Sequence, residues 1–149
     1  MKLSKKCQYA LRAVLELAAR SDQAPVKIQA VAEAQAIPHR FLEVILNELR
    51  HGGIVASRRG NDGGYLLAGP PASFTVATVI EQIEGGVSIS PQFTDDGDEP
   101  GGAFGDGAFR KLWAQVDQAI LEVCEGTTFA ELLSYEQESR ADAAPNYCI

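Results

Sequence analysis

Cysteine is scarce and scattered in this chain: Cys7, Cys124 and Cys148 stand far apart among 149 residues. They form no C-x-x-C pair and no even set, which argues against a disulfide scaffold or a thiolate zinc site. Free thiols suit a reducing compartment. Histidine occurs only at positions 39 and 51. No Ser/His/Asp or Cys/His arrangement, metal motif or phosphate-cradling glycine loop is present, so neither enzyme activity nor a cofactor is expected. No apolar run approaches the ~20 residues a membrane span needs. The basic start, Met1 to Lys6, leads into a stretch broken by Gln8, Arg12 and Glu16 rather than a continuous apolar segment. A cytoplasmic protein with no membrane partner is expected.

Net charge is −7, at first sight unfavourable for binding a polyanion. Its distribution changes the picture. Residues 1–69 carry ten Lys/Arg against six acids, a net +4, whereas residues 70–149 carry three against fourteen, a net −11. Salt screens charges beyond ~8–10 Å, so a distant acidic half need not cancel a basic face that meets phosphates.

Apolar spacing predicts a helix over residues 4–20, with Ser4 as N-cap and Cys7, Leu11, Val14, Leu15 and Ala18 inward. A short helix from Lys27 to Ala34 follows, with Ile28, Val31 and Ala32 inward. Pro38 opens another as its first residue, and Gly52-Gly53 ends it after His51. Ile54–Arg59 and Gly64–Leu67 read as strands joined by a Gly60-Asn61-Asp62-Gly63 tip. Gly69-Pro70-Pro71 links to a helix capped by Thr75 and running through Ile83. Residues 86–107 form an acidic, Gly-rich loop. A long helix spans 108–125, and a Thr128/Glu131 capping box starts a last helix through Glu138. Residues 139–149 are expected to be a flexible tail.

Two short helices joined by a tight turn, then a hairpin, is the order of a winged helix-turn-helix. The fold expected is mainly α with a small β-hairpin wing: residues 1–85 as reader, and 108–138 as dimerisation helix plus C-terminal helix. In the second helix of the helix-turn-helix, Phe41, Leu42, Ile45, Leu46 and Leu49 are expected inward. His39, Arg40, Glu43, Val44 and Asn47 fall on the other side. Arg pairs with guanine, Glu accepts from cytosine, and Asn pairs with adenine, so His39, Arg40, Glu43 and Asn47 are candidate base readers. Any solvated helix face is also polar, and that alternative stands. Arg58 and Arg59 in the wing are candidates for a minor groove or a phosphate. Lys5, Lys6, Lys27 and Arg50 are phosphate candidates, with plain solvated surface as their alternative. The apolar stripe Phe109, Leu112, Trp113, Val116, Ile120 and Val123 makes the long helix amphipathic.

Three runs resemble the signature of a known family. They are Ile37-Pro38-His39-Arg40-Phe41-Leu42-Glu43-Val44-Ile45-Leu46, then Leu49-Arg50-His51-Gly52-Gly53-Ile54-Val55, then Arg59-Gly60-Asn61-Asp62-Gly63-Gly64-Tyr65-Leu66-Leu67. Together with Leu3-Ser4-Lys5-Lys6 and Tyr9-Ala10, they are similar to the Rrf-two family of bacterial winged-helix regulators. That family includes iron–sulfur, nitric-oxide-sensing and cysteine-metabolism members. The resemblance covers residues 1–85 and, more loosely, the helix at 108–125. It implies a homodimer on near-palindromic double-stranded DNA, joined through the long helix, with Glu43 on bases and Arg59 in the minor groove.

Cluster-binding members carry three cysteines in the loop before the dimerisation helix. Here residues 86–107 hold Phe93, Asp95, Asp96, Asp98, Glu99 and Asp106 but no Cys or His, so no iron–sulfur centre is expected. Gln8 and Arg12 are poor ligands at the place where a partner subunit's first helix adds one in some members. The acids lack an EF-hand spacing, which leaves a solvated loop. Cys7 and Cys124 fall on inward faces. The last residues, Tyr147, Cys148 and Ile149, are similar to the serine acetyltransferase tail that enters cysteine synthase (O-acetylserine sulfhydrylase). The family's cysteine-metabolism repressors bind the same enzyme, which makes it the expected partner; a frayed end is the alternative. A regulator with an unknown small-molecule or thiol sensor, or a protein-binding winged helix without DNA, are the competing readings.

Overall fold

A computed structural model describes residues 3–88 and 103–144. The first helix, α1 (Lys5–Ala19), begins where the Ser4 hydroxyl accepts the Cys7 N–H at 3.0 Å. Its buried stripe is Cys7, Ala10, Ala13, Val14, Leu17 and Ala18. Leu11 and Leu15, expected at its centre, lie half-buried on its shoulder.

Helices α2 (Ile28–Gln35) and α3 (His39–His51) form the helix-turn-helix. Ala36 closes α2 in the left-handed region (φ 51°), and the Ile37 N–H reaches back to the Ala32 carbonyl at 2.9 Å while Ile37 is buried. This is the pairing that satisfies orphan carbonyls at a helix end. Pro38 is the N-cap of α3 rather than its first residue, a shift of one position. Leu42, Ile45, Leu46 and Leu49 fill the buried arc. Phe41 does not join them: it is 62% exposed. At about 100° per residue it falls past the edge of the arc that those four occupy, which corrects the inward placement expected from spacing. Gly53 (φ 73°) follows α3, and the Gln82 side chain donates to the Glu48 carbonyl at 3.1 Å.

The wing pairs β1 (Val55–Arg58) with β2 (Gly64–Leu67), antiparallel, from Val55 opposite Leu67 to Arg58 opposite Gly64. The first strand is shorter than the expected 54–59. Val26 adds a bridge to the outer side, with Val26 N–H to Tyr65 carbonyl at 2.7 Å and Tyr65 N–H to Val26 carbonyl at 2.8 Å. That approach explains Gly64, and the tight hairpin turn explains Gly63. A Cβ at Gly64 would strike the Val26 backbone, and one at Gly63 the Arg58 carbonyl.

A 3-10 turn (Pro71–Ser73) leads to α4 (Val76–Glu84), capped by Thr75 and ended by Gly85 at φ 80°. Helix α5 (Asp106–Gly126) follows, and its one buried residue is Cys124. Helix α6 (Phe129–Ala143) starts at the expected box: Glu131 N–H to Thr128 Oγ1 at 3.2 Å and Thr128 N–H to Glu131 Oε2 at 2.8 Å. It runs five residues beyond Glu138, continued by an Arg140–Glu136 pair at 2.7 Å one turn apart, so residues 139–143 are helix and not tail.

The last helix also belongs elsewhere than expected. Phe129 is fully buried in the core that holds Ala10, Val14, Leu42, Leu46 and Leu49, with Leu132 and Leu133 packed against it. The segment before α6 is stitched on by Val76 N–H to Thr127 carbonyl (2.9 Å) and Phe129 N–H to Phe74 carbonyl (3.0 Å). The reader's core therefore draws on residues 129–133 as well as on 1–85. Two outcomes follow from this packing. Phe129→Ala should lower unfolding free energy by about 3–5 kcal/mol in urea titrations, since α6 loses its anchor; a decrease under about 1 kcal/mol would contradict the assignment. Gly64→Ala should cost about 1–3 kcal/mol and speed hydrogen exchange at the Val26 and Tyr65 amides, with the helices unchanged by circular dichroism.

Candidate nucleic-acid interface

The exposed side of α3 opposes its four buried residues. Arg40, Glu43, Val44, Asn47 and His51 lie there, with His39 at the start. No side chain caps the N-terminus of α3, which keeps its partial positive charge. The candidate readers are partly tied to one another. His39 Nδ1 lies 4.0 Å from Glu43 Oε2, Arg50 Nη2 donates to Asn47 Oδ1 at 2.9 Å, and His51 Nδ1 meets the Asn47 carbonyl at 2.7 Å. Arg40 is exposed at the start of the helix. Asn47, with its side-chain oxygen engaged by Arg50, presents its amide donors outward.

Arg58 and Arg59 are exposed at the wing, just before the Gly60–Gly63 turn. The four phosphate candidates have distinct settings. Lys5 sits 5.3 Å from the Tyr9 ring centroid. Lys6 pairs with Glu48 across α1 and α3. Lys27 donates to the Asn61 carbonyl at the wing tip, which ties the helix-turn-helix to the hairpin. Arg50 serves Asn47. Spacing along the chain gave no sign of the Lys6 and Lys27 partners, because Lys27 and Asn61 are 34 positions apart and Lys6 and Glu48 are 42 apart.

On α5, Phe109, Leu112 and Val123 are exposed while Trp113, Val116 and Ile120 are half-buried. Cys124 and Ile120 lean on Cys7, Ala77 and Ile80 of α1 and α4. There the thiols are held protonated. Burial first, then the charge of Glu84 and its hydrogen bond, push Cys7 up to about 11. Burial raises Cys124 as well. Glu84 also accepts the Ser4 N–H at 3.1 Å and the Ser4 hydroxyl. Among the described residues no group of three His, Cys, Asp or Glu could hold a metal ion. Tyr147, Cys148, Ile149 and the loop acids Asp95, Asp96, Asp98 and Glu99 lie outside the described residues.

Known proteins extend these observations. The Rrf2 family model, described as an iron-dependent transcriptional regulator, matches residues 3–135. Among the described residues iron finds no fitting donor set: the two buried, protonated thiols are poor ligands, and by sequence residues 86–107 contain no Cys or His. The transcriptional regulator CymR of Bacillus subtilis is 34% identical over 142 residues, covering 93% of this chain and 96% of that protein. The regulator IscR of Vibrio vulnificus is 33% identical over 134 residues, covering 90% and 78%. The solved structure of CymR, the global cysteine regulator of B. subtilis, superposes with a TM-score of 0.78 at 31% identity, over 91% of this chain and 98% of that one. No described helix is long and apolar enough to cross a membrane. With the helix-turn-helix, the wing and the long helix all inside the matched span, the chain belongs to the Rrf2 family of winged-helix transcriptional regulators.

Proposed function

We propose that the protein is a dimeric, sequence-specific DNA-binding repressor, without enzyme activity, that acts in the cytoplasm. The observation that carries this is the coupled reader: an α3 face of Arg40, Glu43 and Asn47 beside a wing that Lys27 and Val26 hold at a set distance from it. In this reading Glu43, Arg40, Asn47 and His39 meet base edges in the major groove, Arg58 and Arg59 take the adjacent minor groove and phosphate, and Lys5 and Arg50 meet the backbone. Lys6 and Lys27 mainly position the reader, because each ties one element to another.

The dimer rests on α5. Phe109, Leu112 and Val123 stay exposed in the single chain, and burying each would contribute about 1.5–3 kcal/mol. Two copies joined along this stripe present two α3 helices to half-sites ~34 Å apart, or a multiple of that, on a near-palindromic duplex. Signal input is proposed to come from a partner enzyme, cysteine synthase, because the described residues offer no donor set for a metal sensor and the thiols at 7 and 124 are protonated and buried. CymR, named a cysteine regulator, is the relative that supports a role in sulfur metabolism.

Arg59→Ala is expected to weaken duplex binding and flatten the dependence of log K on log salt by about 0.9 for each phosphate it no longer neutralises, while Glu43→Ala relaxes specificity at one base pair by ~1–3 kcal/mol. Fluorescence anisotropy over a salt series reads both. A monomer at micromolar concentration with salt-independent binding would refute the reading. For the partner, full-length protein should co-elute with cysteine synthase, and O-acetylserine should release it. Deleting residues 146–149 should abolish the complex and leave duplex binding intact; an unchanged complex would remove the tail from the mechanism.

A further inference from the structure

The centre of the α3 reading face is not polar. Residues 40, 44, 47 and 51 fall on one line at helical spacing, opposite Leu42, Ile45, Leu46 and Leu49. Three of the four end in polar tips. The fourth, Val44, is 54% exposed and belongs to neither buried cluster of the chain. Phe41, one turn earlier, extends the apolar surface along the same edge.

Nothing about folding explains a valine at this position. A β-branched residue is a weaker helix former than most alternatives at an exposed site, and among the described residues its apolar surface joins no cluster. Its surroundings are ordered around it. Asn47 is held by Arg50, and Glu43 is approached by His39. Valine itself has one strongly preferred χ1 rotamer in a helix, so its two methyl groups present a fixed apolar surface amid cationic and amide groups. That composition is complementary to a major groove, where phosphates line the walls and one base edge alone is apolar: the thymine 5-methyl.

We propose that Val44 is a specificity-determining residue that packs on the 5-methyl group of a thymine in each half-site. The proposal rests on α3 being the recognition helix. It adds a requirement that the hydrogen-bonding trio does not impose, namely the 5-methyl of a thymine. Removing the methyl from that thymine, or the side chain from Val44, abolishes the same apolar pairing.

The test uses the full-length dimer and a duplex selected by it from a randomised pool. Each thymine of that duplex is replaced in turn by deoxyuridine, which removes the 5-methyl and leaves pairing intact. Wild-type protein should bind about fourfold more weakly per half-site at one position, the value expected for one methyl-sized group returned to water. Val44→Ala should bind the parent duplex about fourfold more weakly per half-site and show no further weakening from deoxyuridine at that position, while keeping its response to salt. Wild-type indifference to every deoxyuridine overturns the proposal and leaves the DNA-binding reading standing. So does a methyl effect that persists unchanged in Val44→Ala. Failure to select any duplex, with no salt-dependent binding, overturns both.

Discussion

The reader is assembled around the small side chains of α1. Helices α2, α3, α4 and α6 and strand β2 all pack on this one helix. A helix ringed by long side chains could not be approached so closely from so many directions. Ala10, Ala13 and Ala18 are buried and supply short surfaces, while Val14 and Leu17 fill the gaps between them. Helix axes separate by ~8–10 Å according to the side chains between them, and alanine sets the short end of that range. Enlarging any of these alanines would push out several elements at once, because close-packed interiors have no slack to absorb a methylene.

From that hub, the positions of α3 and the wing follow by tethers of different kinds. Leucines and Ile45 set the depth of α3, and the Schellman-type closure at Ala36 and Ile37 sets its angle to α2. Gln82 holds the Glu48 carbonyl near its C-terminal end, linking α3 to α4. The wing hangs from Val26 through two short backbone hydrogen bonds and from Lys27 through its tip. These polar tethers reach between elements distant in sequence, so the candidate DNA-reading surface is placed by the same packing that stabilises the fold.

Much of this was legible in local chemistry. Ser4, Thr75 and Thr128 announced helix starts, Gly53 and Gly85 sit just past helix ends, and the Gly63-Gly64-Tyr65 run marked the hairpin. These signals are local because a cap or a turn is satisfied within a few residues. The exceptions share a cause. Phe41 lies past the arc of its neighbours, which depends on how wide a face α1 covers. Phe129 enters a core whose other members come from residues 10 to 79, and no periodicity in its own helix says which surface it will meet. Lys6 and Lys27 read as free cations until the fold brought their acceptors beside them. Val44 was on the expected face but carried no hydrogen-bonding group to draw notice to it.

The long helix α5 is fastened to the rest of its chain near one end. Cys124 and Ile120 are set into α1 and α4, and Ser88 Oγ donates to Asp117 at 2.9 Å. Ahead of that point the helix continues to Asp106 without a buried side chain. Twenty-one residues at ~1.5 Å each make a rod about 30 Å long. Such a rod, clamped at its root, behaves as a cantilever. Asp106 lies 11 residues, or about 16 Å, ahead of Asp117, so a tilt of about 5° at the clamp carries it through about 1.5 Å, and small adjustments among Cys7, Ala77 and Ile80 are enlarged at the far end of the rod.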